Sequence, residues 1–446
     1  MTVTSPMTNA DRSIAQEGLT VGTMGDAVAR LMALVGMFAD EFSGEHDLTP
    51  GAIPLGAWHD RACREAVTAV AVAGESATAA QVAAAMPELA EAIEELAVDV
   101  AADLAAVCAR LVELGADPTP LVEPVFGMLT FALNECACFI QLWPRTPGQR
   151  PHFPHPHDDD ATTRATVTEQ LTAALTANRK KRTTAMTRAD YGADLDIQDP
   201  TGWVDCCPDD HDPRQREVSA HLMTASWYTL DSWMRAALAL LQDRNVRRAL
   251  PDRDTLKAAV DRVRPWRGEL HFVAVLLRVL DDEPLIVLHQ PSGRGFMVTI
   301  AGIADLRQLH TLLAATMSGS GLLTGPGPSR EQVAAADGSG RQRTRMEPFY
   351  DLTDCHGVPL PDDALPADIP TTSNTIDSPR MVILSPSSHA HTWVTGRLFD
   401  RMTPTLSQVR ELTHQEAARW ITLAPEQPQA STPTHAEEDA ATRDTP

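Results

Sequence analysis

His389 and His391, two residues apart just past a short apolar run, head the groups in this chain whose types and spacing suit chemistry. Imidazoles so placed at a strand end can share one metal ion, which polarises a carbonyl or phosphoryl group or lowers the pKa of a bound water. Such centres need further ligands from other strand ends. The continuation His391-Thr392-Trp393 lacks the Asp-His step of some metal hydrolases, so the fold would have to recruit His414, His356 or Asp354. The plainer reading is a loop with two solvated imidazoles.

Four other groups invite the same weighing. Asp205-Cys206-Cys207-Pro208-Asp209-Asp210-His211-Asp212 gathers two thiols, an imidazole and carboxylates. Adjacent cysteines rarely bind one zinc, because structural sites place about two to four residues between them. A structural metal joining this region to Cys355-His356 is the sharper reading, and ordinary thiols the plainer one. Cys136 and Cys138 fall in an apolar stretch, where small thiols fill a core. His152, His155 and His157 precede Asp158, Asp159 and Asp160, but the alternation with proline fits a solvated spacer better than a metal trap. Gly319, Gly321 and Gly325 nearly match a dinucleotide-binding turn. That turn must follow a strand and open a helix, whose N-terminus holds the pyrophosphate. Here the loop follows a helical pattern and runs into Pro326 and Pro328, so a flexible linker is expected. The sequence carries no phosphate-binding Gly-Lys-Ser/Thr loop, no Gly-x-Ser-x-Gly elbow, no His-Glu-x-x-His and no calcium-loop pattern. Catalytic and metal-binding residues are left unassigned, and no cofactor is expected.

The elements that would position these groups begin with helices. Val28, Leu31, Leu34, Val35 and Phe38 make Asp26 to Phe42 helical. Leu89, Ile93, Leu96, Val100, Leu104, Val107, Leu111 and Leu114 form one stripe, which predicts a continuous helix from Pro87 to Leu114 with proline in its first turn. Thr119 to Trp143 is apolar nearly all round, and the short Gly115–Pro118 turn makes the pair an antiparallel hairpin. Pro144 to Asp160 reads as a linker or exposed loop. Helices are expected from Thr162 to Arg182, Arg216 to Asp243 and Asp254 to Val263, with a long loop over Asp190 to Pro213. After Pro265 the period changes. Glu269 to Leu280, Leu285 to Gln290 and Phe296 to Ile300 read as an antiparallel meander, broken by the turns DDEP and PSGRG. A helix follows from Ile303 to Met317, then a mobile Gly/Pro/Arg loop, an irregular stretch from Phe349 to Thr372 and a strand from Arg380 to Leu384. Thr413-His414-Gln415-Glu416 is a capping box that opens a last helix.

The fold class expected is therefore α+β and predominantly helical: an acidic N-terminal helical part, then a smaller part with an antiparallel meander and flanking helices. The expected organisation is a disordered start (1–19), a helical domain (20–264) with a Pro/His-rich linker (144–160), an α+β domain (265–422) with a mobile loop (318–345), and a disordered acidic tail (423–446).

Charge bounds the function. The net charge is −23, and up to Arg145 the chain holds 20 acidic residues against 6 arginines and no lysine. Such a surface repels phosphate and anionic lipid, which disfavours nucleic acid and membranes as partners and suits a protein partner with a basic surface. The longest apolar run, Val125 to Trp143, contains Asn134, Glu135 and Gln141. A charge at the centre of a membrane helix costs roughly 2.5–3.5 kcal/mol, so this run is read as a buried core helix. No apolar leader opens the chain, and seven cysteines without a framework predict reduced thiols in a cytoplasmic protein. Only Lys180, Lys181 and Lys257 are lysines, a bias of GC-rich, actinobacterial coding. The leading expectation is a soluble, acidic bacterial protein that acts by binding, in a protein–protein or regulatory role. The alternatives are a metal-dependent hydrolase built on His389 and His391, and a small-ligand site at the junction of the two parts.

Overall fold

A computed structural model describes residues 22–43, 55–144, 151–181, 213–318, 322, 326–340, 343–361, 364–372, 378–387, 392–396 and 398–423. These carry thirteen α-helices and a mixed sheet, an α+β fold dominated by helix. The chain divides into two compact units, Met1–Leu277 and Arg278–Pro446.

The first unit is helical: α1 (Met24–Ser43), α2 (Leu55–Ser76), α3 (Ala79–Glu95), α4 (Val98–Glu113), α5 (Val122–Leu142), α6 (Ala161–Lys181), α7 (Pro213–Leu241), α8 (Arg244–Ala249), α9 (Arg253–Val263) and α10 (Leu270–Leu276). The stripe expected as one helix from Pro87 is two helices. Thr78 and Gln81 cap α3 reciprocally, Pro87 lies in its interior, and Leu96 and Ala97 turn extended before α4. Both halves bury the same stripe, Leu89 and Ile93 before the break and Leu104 and Leu111 after it, so the period runs on through a kink that no glycine or proline marks. The expected hairpin is also corrected. α4 and α5 barely touch; each packs along α7, whose Trp227 and Trp233 are fully buried. Among the described residues, Thr119–Leu142 is the one helical stretch long and apolar enough to cross a membrane, and more than half of it is buried inside the bundle. Cys63, Cys108, Cys136 and Cys355 are free, and burial pushes the Cys108 and Cys136 thiols up to about 12.

In the second unit the sheet runs β4 (Tyr350–Thr353), β5 (Arg380–Pro386), β1 (Leu280–His289), β2 (Arg294–Ile303), β7 (Thr405–Glu411), and β3 (Thr344–Met346) pairs separately with β6 (Trp393–Thr395). β1 and β2 are an antiparallel hairpin, whose turn ends on Gly293 at φ +65, where a side chain would be strained. β5 lies parallel to β1, and the other pairs are antiparallel. Alternation along the strands gives two apolar faces. Leu285, Val287, Val298, Ile300 and Val382 meet Leu309 and Leu313 of α11 (Leu306–Ser318). Ile286, Leu288 and Met381 meet Ala417 and Trp420 of α13 (His414–Leu423).

Three expectations change here. Residues 270–276, read as the first strand of the meander, form α10 of the first unit. The DDEP segment, read as a turn, lies inside β1 as a bulge with Asp282 at φ +60, so turn chemistry bends a strand instead of ending it. The loop expected over 318–345 contains α12 (Arg330–Asp337), opened by a Ser329–Gln332 capping box, and the start of β3.

Candidate functional site

Among the described residues an open groove lies along α6, and the sequence of that helix explains it. Asp160 accepts the N–H groups of Thr162 and Thr163, both at 2.9 Å, and the Thr163 hydroxyl at 2.7 Å. These bonds cap the helix and hold the Asp160 carboxyl below its ordinary range, the Thr163 hydroxyl first among the causes. Val167, Thr168, Leu171 and Leu175 are buried on the side facing α7, where the Thr168 hydroxyl donates to that of Thr224 at 3.1 Å. The remaining surface is alanine and threonine. Thr172 and Thr176 turn their hydroxyls back onto the carbonyls of Thr168 and Thr172, at 2.9 and 2.8 Å. Their polar atoms are satisfied within the helix, so the face they present is largely methyl. With Ala165, Ala173, Glu217 and His221 they line an open groove of about 900 Å³ between α6 and the first turns of α7.

The segment ahead of α6 fixes that helix. The indole N–H of Trp143 donates to the His152 carbonyl at 2.9 Å, and that of Trp227 to the Pro154 carbonyl at 3.0 Å. Phe153 inserts its ring 5.3 Å from Trp227 and 5.4 Å from Trp266, beside a Phe139–Trp227 stack at 4.6 Å. Arg267, almost fully buried, lies 5.1 Å over the Trp227 ring and pairs with Asp231. Arg164 bonds Asp159 at 2.8 Å and reaches Asp99 at 3.4 Å, while Arg64 bonds Asp99 and Asp103. Burial pushes the Asp103 carboxyl up against the pull of Arg64, and the Asp159 hydrogen bond raises Arg164. The stretch read as a linker is, over 151–160, a strap tied to the aromatic core of the bundle.

The residues singled out in the sequence fare differently. His152, His155 and His157 are exposed on this strap; the His155 and His157 rings lie 5.1 Å apart, and Nδ1 of His155 accepts the His157 N–H at 3.3 Å. Asp354 accepts the N–H groups of His356 and Val358, which makes Cys355-His356 part of a turn, and the buried Cys355 thiol points to the Thr371 carbonyl at 3.9 Å. Cys136 fills the core. His414 opens α13. His389, His391, Cys206, Cys207, His211, Gly319, Gly321 and Gly325 lie outside the described residues. Among the described residues no group of three or more His, Cys, Asp or Glu side chains is placed to hold a metal.

Sequence reasoning missed two arrangements. His289 Nδ1 lies 2.7 Å from the Ser292 hydroxyl, a nucleophile–base distance. Burial and the neighbouring Arg294 lower the His289 pKa. The pair sits inside the exposed β1–β2 turn and serves it, since the Arg294 N–H also donates to Ser292. His310, buried on α11, is bracketed by Tyr350 and Trp393, and the Tyr350 hydroxyl donates to the His310 carbonyl at 2.7 Å. Both pair residues distant along the chain or inside a turn, and neither carries a local motif. The groove on α6 was also missed; the signal for it is a helix poor in large apolar residues set between more apolar helices. Comparison of the chain with protein-family models, curated proteins and solved structures finds no match.

Proposed function

We propose that this protein is a soluble protein that acts by binding, and that the groove between α6 and α7 receives a helix of a protein partner. The groove itself carries the reading: seven α6 residues from Ala165 to Ala177 line it over about 18 Å at about 1.5 Å per residue. Small side chains let a helix axis approach at the short end of the usual 8–10 Å spacing. Methyl surface covered in this way leaves water at about 25 cal/mol per Å². Glu169 and Glu217 stand in the groove wall of a chain whose net charge is −23, so the fitting helix has a small apolar face edged by lysine or arginine.

The test is a titration of a labelled helical peptide, leucine and alanine on one face and lysine at its edges, followed by fluorescence anisotropy. Saturable binding is expected, about tenfold weaker or more in Ala173→Trp, which fills the groove while the melting temperature stays unchanged. A peptide that binds neither protein, or binds both alike, overturns the reading.

A further inference from the structure

The cleft that holds Phe153 has the make-up of a peptide-docking site already filled by the chain's own strap. Four rings face Phe153: Trp227 at 5.3 Å, Trp266 at 5.4 Å, Phe139 at 6.3 Å and Trp143 at 6.4 Å between centroids. Trp143, Trp266 and Phe153 itself are only half-buried, so the cleft opens at the surface. We propose that this cleft docks a proline-flanked phenylalanine segment of a partner protein, with the strap as its resident competitor. The cleft shares no residue with the groove on α6, and the two sites stand or fall separately.

Two indole N–H groups set what an occupant must bring. Trp143 donates to the His152 carbonyl at 2.9 Å and Trp227 to the Pro154 carbonyl at 3.0 Å. Those carbonyls flank the inserted ring, so the cleft asks for two acceptors two residues apart with an aromatic side chain between them. A buried indole N–H without an acceptor is costly, which disfavours an apolar molecule that brings a ring alone. Proline suits the second position because it supplies a carbonyl and has no N–H to strand among the rings. It also restricts Phe153 before it to extended backbone, as Pro156 restricts His155, so the segment has little conformational freedom to lose on docking. Aromatic-lined grooves take proline-rich segments on these terms. Six residues beyond the ring, Asp159 bonds Arg164 at 2.8 Å, and a carboxylate equally far along the partner segment takes its place.

The strap is tied in a way that permits exchange. Residues 151–155 belong to no helix and pair in no sheet. Their described contacts with the bundle run through the Phe153 ring and two backbone carbonyls, all of which a second peptide can reproduce. Tethering favours the strap as an intramolecular ligand. The intact chain therefore offers the cleft only in the fraction of molecules whose strap is out, and the apparent affinity for a partner falls by that fraction.

Fluorescence anisotropy with a labelled peptide copying residues 150–159 tests this on the full chain. Saturable binding is expected, about tenfold tighter or more in Phe153→Ala, whose strap no longer fills the cleft. The same peptide with alanine in place of its phenylalanine should bind neither protein. On the wild type, saturating peptide should speed amide exchange in the first turns of α6, because the displaced strap releases Arg164 from Asp159. That measurement needs no variant. Equal affinity of wild type and Phe153→Ala, binding of the alanine peptide, or no binding by either protein overturns the inference. Wild-type binding with unchanged exchange also overturns it, since the peptide then sits beside the strap and not in its stead. Ala173→Trp should leave the affinity unchanged; a tenfold loss there would put the peptide in the α6 groove and overturn the cleft as its site.

Discussion

At the scale of single residues, side-chain oxygens settle where helices begin. Glu416 bonds the Thr413 N–H at 2.8 Å, while the Thr413 hydroxyl, 3.2 Å away, accepts the Glu416 N–H. Arg410 adds contacts at 3.0 and 3.2 Å, and these partners, Arg410 first, lower the Glu416 carboxyl to about 2. The folded value lies below the ordinary 4.5, so the fold favours the ionised form. Its contribution is present above pH 4.5 and is lost as the pH falls toward 2. Glu416→Gln should therefore melt lower than wild type at neutral pH, and the gap should close across that window. Melting curves at stepped pH check it; a gap of constant size would mean that the charge of Glu416 does not hold the cap. This cap was readable because its signal spans four consecutive residues. Thr78 with Gln81 and Ser329 with Gln332 write the same signal and were passed over, which is why the start of α3 and all of α12 were missed. His389 and His391, where the sharpest chemistry was weighed, lie outside the described residues.

Elements obey two kinds of rule, and only one is local. Apolar period marked α1, α5, α7 and α9 nearly to their ends, since a buried face repeats every three or four residues whatever it packs against, but left α2 unmarked. It could not name the neighbour. α4 and α5 follow each other in sequence yet both pack along α7, which begins about seventy residues after α5 ends. The strap was misread for a related reason. Proline and histidine mark irregular backbone correctly, but the anchors that hold it, Trp143 and Trp227, come from helices on either side. Phe153→Ala should cost about 1–3 kcal/mol, the ring being only partly buried. Because Asp159 and Asp160 follow on the same strap, the loss should also speed amide exchange in the first turns of α6. Exchange mass spectrometry on the variant checks this; unchanged rates there would uncouple the strap from the helix.

For the whole molecule, composition and period were enough to give an α+β protein dominated by helix. The order of the sheet was beyond them. β1 and β5 are parallel partners about ninety residues apart, and nothing short-range in either strand selects the other. That pairing has a consequence in time. The β1–β2 hairpin is the centre of its sheet, yet the strands that flank it, Arg380–Pro386 and Thr405–Glu411, and the helix that covers one of its faces, His414–Leu423, are all synthesised well after it. Until then the nascent hairpin carries two unpaired edges and uncovered apolar surface, the condition in which chains meet chaperones or one another. Contacts so distant along the chain also fold slowly. On dilution from denaturant, pulsed hydrogen exchange should protect the amides of α3 to α5 before those of β1 and β2. Simultaneous protection would mean that the hairpin finds a stable fold without waiting for its late partners.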